Sequence, residues 1–242
     1  MGRFEIFSES MGKMLAGESR IMRKIENGRE LVAELNSHTD WFFDTLKTLI
    51  LDPASIERQK PGIWPNEFTL YRSPDRSFVV LAYIWDAGLA DIIHDHGSWG
   101  IIGTLVGKLG ERKHERLDDG KREGYCELRE TAFGVFGPGD TTFVLPLDKG
   151  LHAMDNPTDG IAVSINVYGK TVRQGFIQFF DPAKKTVTRT YPPRTLKEVL
   201  AVKTLAAIDP DRAEGVFRDA LGSSRPPQLR QAYEETLRKI RG

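Results

Sequence analysis

The chain places two histidines one residue apart, in Gly88-Leu-Ala-Asp-Ile-Ile-His94-Asp-His96-Gly-Ser-Trp-Gly100, and a third, His152, more than fifty residues later. Residues two apart on an extended strand point the same way, so His94 and His96 present both imidazoles to one face. Asp95 then points to the other, as a backbone or surface partner. His152 lies in a second strand-like segment, Gly150-Leu-His-Ala-Met-Asp-Asn156. For the three rings to meet, the strands between them must close into a barrel. Neutral imidazoles converging on one point suit a divalent transition metal such as iron, zinc, copper or nickel.

The spacing of turns predicts that closure. From about residue 66 to 192 the chain breaks into short β-rich runs separated by Gly and Pro: Phe78 to Trp85, Trp99 to Leu109, Lys113 to Leu117, Tyr125 to Glu130, Thr141 to Leu145 and Ile161 to Tyr168, with further strands at Phe176 to Phe180 and Thr186 to Thr190. An antiparallel barrel or jelly roll fits this rhythm, because closure protects strand edges. Asp118-Asp-Gly-Lys reads as a hairpin turn, and Ser73-Pro-Asp-Arg76 as a turn between two strands. Both flanks carry apolar residues at helical intervals, Ile21 to Leu35 and Trp41 to Leu51 on one side, punctuated by Pro53 and Pro61-Gly62. On the other side run Leu196 to Ile208, Arg212 to Leu221 and Leu229 to Ile240. Three regions follow: a helical extension over 1–65, a metal-binding barrel over 66–192 and a second helical extension over 193–242.

Glycines frame the histidines at fixed distances. Gly88 lies six residues before His94 and Gly107 eleven after His96, and a second block runs Phe136-Gly-Pro-Gly-Asp140, Pro146 and Gly150 to Asn156. This pair of blocks resembles the two motifs of the cupin superfamily, which implies a mainly β fold, the double-stranded β-helix or jelly-roll barrel, here with α-helical extensions at both ends. Where that superfamily carries a glutamate ligand, this chain has Gly100. With that substitution, His-Asp-His-Gly-Ser-Trp-Gly and the later Ala162-Val-Ser164-Ile-Asn166-Val-Tyr168 resemble the thiol dioxygenases, cysteine dioxygenase and its bacterial relatives. The resemblance implies Fe(II) held by His94, His96 and His152. Its substrates would be dioxygen and a small thiol, such as cysteine or 3-mercaptopropionate, and its product a sulfinate. Some members carry at the Gly100 position a cysteine cross-linked to the active-site tyrosine; glycine forms no such link.

Charge arithmetic agrees with an anionic sulfur substrate. Three neutral imidazoles leave the whole charge on a divalent metal, whereas a carboxylate ligand cancels one unit. Three protein ligands also leave three positions of an octahedron open. The same histidines suit zinc with a water. A non-catalytic metal-binding cupin acting as a sensor or interaction module, or a cupin oxygenase or isomerase of another kind, shares the motif.

Ser164, Asn166 and Tyr168 share strand parity and so face one side. In the resembled family this strand carries a Ser-x-His-x-Tyr relay whose tyrosine approaches the iron-bound ligands. Asn166 replaces the middle histidine, and a neutral amide forms hydrogen bonds but does not shuttle protons near neutral pH. The family grips a substrate carboxylate with an early arginine, since a guanidinium matches a carboxylate in two parallel bonds. Arg72, beside Tyr71, is the nearest candidate. Trp99, three residues after His96, either walls the metal pocket or fills the barrel core next to it.

Lys plus Arg and Asp plus Glu both number 34, so electrostatics give no case for a nucleic acid or an anionic membrane. The lone Cys126 excludes an internal disulfide and fits a reducing compartment. No apolar run resembles a signal peptide or a membrane span. The expectation is a cytoplasmic monomer or homodimer acting on a small thiol and dioxygen.

Overall fold

The computed structural model describes residues 2–59, 62–223 and 225–241; Pro61 lies outside them. Four helices come first, α1 (Arg3–Gly17), α2 (Ile21–Asn36), α3 (Asp40–Leu51) and α4 (Pro53–Glu57). Ten strands follow: β1 (Glu67–Arg72), β2 (Phe78–Trp85), β3 (Gly100–Val106), β4 (Leu109–Arg116), β5 (Leu128–Phe136), β6 (Thr141–Val144), β7 (Leu151–Asp155), β8 (Ala162–Gly169), β9 (Ile177–Asp181) and β10 (Thr186–Thr190). The helices α5 (Pro193–Ile208), α6 (Pro210–Leu221) and α7 (Pro227–Ile240) complete the chain.

One sheet has the antiparallel order β1-β2-β8-β3-β6. Its outer face, including Val80, Ile101, Val163 and Ile165, packs against Met11, Ile25, Val32 and Trp41 of α1 to α3. Its inner face sets Leu81, Tyr83, Trp85 and Ile102 against Leu109 and Met154 of the opposite sheet. Burial on both faces explains why β2 and β3 read as almost continuous apolar runs rather than as alternating ones.

The facing sheet is assembled from two pieces, β5-β4-β7 and β9-β10. Residues 90–95 join them. Ala90 bridges Asp155, and His94 bridges both His152 and Phe179. His94 and His152 exchange backbone hydrogen bonds of 2.9 and 3.1 Å, and the Phe180 N–H donates to the Ile93 carbonyl at 2.8 Å. The segment that carries the first histidine therefore serves as a strand without regular strand geometry throughout. Two facing antiparallel sheets with helical extensions at both ends make the expected jelly roll.

Gly107, at φ +71°, turns the chain from β3 in one sheet to β4 in the other; a continuous strand from Trp99 to Leu109 was expected, and this corner divides it. Strand β5 starts later and runs further than the expected Tyr125 to Glu130, pairing with β4 as far as Leu109 opposite Phe136. The Asp118-Asp-Gly-Lys turn does not join two strands directly. It sits inside the longer Leu117–Glu127 connection, where the Asp118 carboxylate accepts from the Gly120 and Glu127 N–H groups. Helices α5 to α7 share an apolar cluster of Val202, Phe217, Tyr233 and Leu237 and meet Tyr191 after β10 through Val199 and Leu229. Among the described residues no helix is long and apolar enough to cross a membrane.

Candidate metal centre

His94, His96 and His152 offer ring nitrogens that all lie within 4.8 Å of one another, and they are the convergent donor group found among the described residues. His94 comes from the joining segment and His152 from β7, held in register by their mutual backbone bonds. The two outer rings have defined tautomers. His94 Nδ1 lies 2.8 Å from the Ile92 carbonyl, which only accepts, so Nδ1 carries the proton and Nε2 the lone pair. His152 Nδ1 lies 2.7 Å from Glu111 Oε1, leaving its Nε2 free as well. That Nε2 faces His96 Nε2 at 2.9 Å.

A divalent ion fits this set. Two nitrogens bound at about 2.1 Å and at right angles to each other sit about 3.0 Å apart, close to the His96–His152 separation. Burial, followed by the His152 ring, pushes the His94 pKa down to about 3. Burial and the neighbouring rings also drive His96 well below its ordinary value. Both stay neutral at pH 7 with a lone pair available, as a metal ligand requires.

Glu111, which sequence reasoning passed over, orients His152. Its side chain is buried, accepts from His152 through Oε1, and takes the Thr142 hydroxyl on Oε2 at 2.7 Å. Burial works to raise its pKa, but the hydrogen bond and charge of His152, with Lys113, hold it below the usual carboxylate range. A carboxylate behind a ligating histidine fixes the ring and raises its basicity. The signal was faint: Glu111 shares parity with buried Leu109 but stands at the head of the charged run Glu111 to Arg116.

Gly100 stands at the position where the resembled motif carries a glutamate. A Cβ there would lie 2.4 Å from Tyr168 Cε1, and the Tyr168 ring stacks on His96 with centroids 5.2 Å apart. The tyrosine ring thus lies against the Gly100 position. Burial lifts the Tyr168 phenol well above its ordinary value, so the hydroxyl remains a donor.

Asp95 does point away from the rings, as parity requires, but it is fully buried and not a surface residue. It pairs with Arg173 through both oxygens, at 2.6 and 2.5 Å, and accepts from the Gln178 N–H at 2.7 Å. This anchors the His94-Asp-His96 segment from its back to the loop that carries Arg173 and to the start of β9. Asn156, at the end of the second motif, donates to the Trp85, Asp86 and Gly160 carbonyls and closes a turn rather than touching the rings.

The three rings open into a 240 Å³ cavity whose walls include Trp64, Tyr83, Trp85, Leu89, Ile92 and Met154, together with Asn66, Asp91, Asn166 and Tyr168. Trp64 packs on His94 and on Phe179, at centroid distances of 4.9 and 5.3 Å. A tryptophan placed just before Pro65 in a loop was the available hint that this segment turns inward. Asn166 lines the cavity and donates to the Tyr168 hydroxyl at 3.1 Å. Ser164 is fully buried and accepts from Trp85 Nε1 at 3.4 Å, one step further from the rings.

The substrate-binding expectation for Tyr71, Arg72 and Trp99 is corrected by their placement. Tyr71 packs on Phe78, 5.5 Å between centroids, and with Trp99 lines a separate cavity beside α1. Trp99 is core, pressed against Gly169. Arg72 is exposed at the end of β1. Arg72 pairs with Val79 as the last residue before the turn, so it ends the strand in solvent instead of lining the cavity. No arginine or lysine lines the metal cavity among the described residues.

No family model matches the chain. Among solved structures, those it overlaps include cupin-superfamily proteins. A Cupin 2 conserved barrel domain protein from Salinispora arenicola shows 19% identity over 46% of this chain and 82% of its own, with a TM-score of 0.32. A cupin superfamily protein from Desulfitobacterium hafniense shows 12% identity over 43% and 75%, TM-score 0.30. The DMSP lyase DddQ from Ruegeria pomeroyi shows 16% identity over 52% of each chain, TM-score 0.34. Each overlap covers about half of this chain.

Proposed function

We propose that the protein is an iron-dependent thiol dioxygenase that converts a small thiol to its sulfinate. What carries the reading is one arrangement: three imidazoles converging on one point, His94 and His96 held neutral by burial, and a tyrosine ring against the Gly100 position. A ferrous ion held by His94, His96 and His152 would supply open positions for a thiolate and for dioxygen. Overall, thiolate and dioxygen combine to sulfinate: sulfur loses four electrons, dioxygen gains them, and both oxygen atoms end on sulfur, RS⁻ + O₂ → RSO₂⁻.

The protein's own groups have definable parts in this. Glu111 keeps the His152 tautomer, and the Ile92 carbonyl keeps that of His94. Trp64, Trp85 and Met154 give the cavity in front of the rings an apolar wall. The Tyr168 hydroxyl, neutral and positioned by Asn166, donates a hydrogen bond toward negative charge gathering beside His96, a preorganised electrostatic contribution.

The test is oxygen uptake by anaerobically iron-loaded protein across a series of small thiols, with mass analysis of the products. Uptake that depends on thiol, with a product heavier by two oxygen atoms, is expected. Full iron occupancy with no uptake for any thiol would reject the reading.

A further inference from the structure

Two amide atoms beside the histidines have no partner inside the protein. Asn166 Oδ1, on a side chain only 3% exposed, accepts nothing, its own Nδ2 being given to Tyr168. Asn66 Nδ2 is likewise enclosed and donates to nothing. Both residues line the metal cavity. Buried amide groups are nearly always paired, and one left alone is unfavourable. Apart from the Tyr168 hydroxyl, these two amides offer the tail of a ligand one acceptor and one donor.

Of the other polar groups around it, Tyr83 and one oxygen of Asp91 are engaged within the protein, and the Tyr168 hydroxyl accepts from Asn166 while its proton serves the ligand beside His96. Tyr83 donates to Glu67 at 3.0 Å, and Asp91 accepts from the Met154 N–H at 2.6 Å. The remaining walls are aromatic or aliphatic, led by Trp64, Trp85, Leu89 and Ile92.

Three ligand tails can be weighed against these walls. A carboxylate brings acceptors and a full charge. It matches Asn66, meets the Asn166 oxygen lone pair to lone pair, and finds no arginine or lysine among the described lining residues. An ammonium brings donors alone, which suits Asn166 and leaves Asn66 unpaired. A hydroxyl or a carboxamide does both, without charge.

We infer that the cavity takes a small uncharged thiol whose tail both donates and accepts a hydrogen bond, of the hydroxyl or carboxamide class, with Asn66 and Asn166 setting the specificity. The inference rests on the thiol reading of the metal site. It replaces recognition of a carboxylate by an arginine with recognition of a neutral group by two amides.

Binding to cobalt-loaded protein, followed by the thiolate-to-cobalt absorption band, tests it without requiring turnover. The ligands share one mercaptoethyl stem and differ in the group it carries: 3-mercaptopropionamide, 3-mercaptopropionate, cysteamine and propanethiol. One well-made hydrogen bond corresponds to about a tenfold change in affinity. The amide is therefore expected to bind about tenfold or more tightly than the other three. Asn66→Leu should remove that advantage while leaving propanethiol within about twofold. Should the leucine variant fail to load metal, Asn66→Asp replaces the donor with an acceptor at constant shape, and the amide should again lose its lead. Preference for 3-mercaptopropionate, or an amide affinity indifferent to residue 66, overturns the inference. The expected order without oxygen uptake on iron-loaded protein upholds this pocket and rejects the dioxygenase. Uptake with the carboxylate preferred does the reverse.

Discussion

In the five-stranded sheet both faces are buried, and β2 and β3 are apolar almost throughout; in the facing sheet, β5 shows five consecutive residues to solvent, Arg129 to Phe133. The division of labour follows that contrast. His152 stands on the facing sheet and His94 on the segment that joins its two pieces, with His96 just beyond it, backed by Glu111 and by the Asp95–Arg173 pair. Tyr168 and Asn166 project from the five-stranded sheet. Packing holds the groups that would contact substrate, while hydrogen bonds and ion pairs hold the groups that would contact metal. A ligand held by directional polar contacts keeps its tautomer as well as its position, which apolar packing alone does not provide.

Removing a ligand should break the metal side of this contrast and leave the packed side intact. His152→Ala is expected to lose bound metal, by more than the roughly 10–100-fold that altering a partner behind a ligand costs. Its far-ultraviolet dichroism should remain that of the native fold. Metal analysis showing full occupancy in the variant would remove His152 from the set. The opposite experiment is Ile165→Ala in β8, a side chain with no exposed surface. It should cost about 2–5 kcal/mol of stability in denaturant unfolding and leave metal stoichiometry unchanged.

Glu111→Gln lies between these two. It keeps a hydrogen-bonding side chain behind His152 but removes the charge, so metal affinity should fall about 10–100-fold, with little effect on the packed sheet. Competition against a metallochromic chelator gives the number. An unchanged affinity would reduce Glu111 to a packing element.

These three positions were not equally legible in the sequence. His94 and His96 announce a shared face by spacing alone, and β2 and β8 announce themselves as apolar runs bounded by turns. The relation of His152 to the pair came only from the motif, because strand closure brings together residues more than fifty positions apart. Glu111 was hidden by chemistry: a buried glutamate and a solvated one look alike in a charged run. Arg72 failed for a different reason. Parity gives the face a side chain takes but not how far a strand end stands from the cavity, and Arg72 is the last, exposed residue of β1. Asp95 was half legible, since parity gave its direction but not the Arg173 that makes burial tolerable.

Protonation sharpens the comparison within the joining segment. With no metal bound, His94 titrates near 3 in the folded protein against an ordinary value of 6.5. The unfolded chain therefore takes up the proton first, and the stability this ring contributes is present above pH 6.5 and lost as the pH falls toward 3. Asp91 runs the other way. Burial raises its carboxyl well above the usual 3.8, so its contribution is full below that value and is lost as the pH rises. Asp91→Asn removes the opposing group. The stability of the metal-free variant should then climb more steeply with pH between about 4 and 6.5 than that of the parent. Equal slopes, from denaturant midpoints at several pH values, would mean that Asp91 titrates normally.

The smallest effect belongs to the exposed strand. Phe133 is 54% exposed on β5, with the Arg112 guanidinium 4.3 Å from its ring centroid. Truncation to alanine forfeits that contact and little burial, so about 0.5–1 kcal/mol is expected, several times less than Ile165→Ala. If Phe133→Ala instead costs as much as the buried isoleucine, the outer face of β5 is covered in solution. The facing sheet would then be packed on both sides like its neighbour. Concentration dependence of the melting temperature separates the two cases, because a surface covered by a second copy of the chain is stabilised by mass action and a solvated one is not.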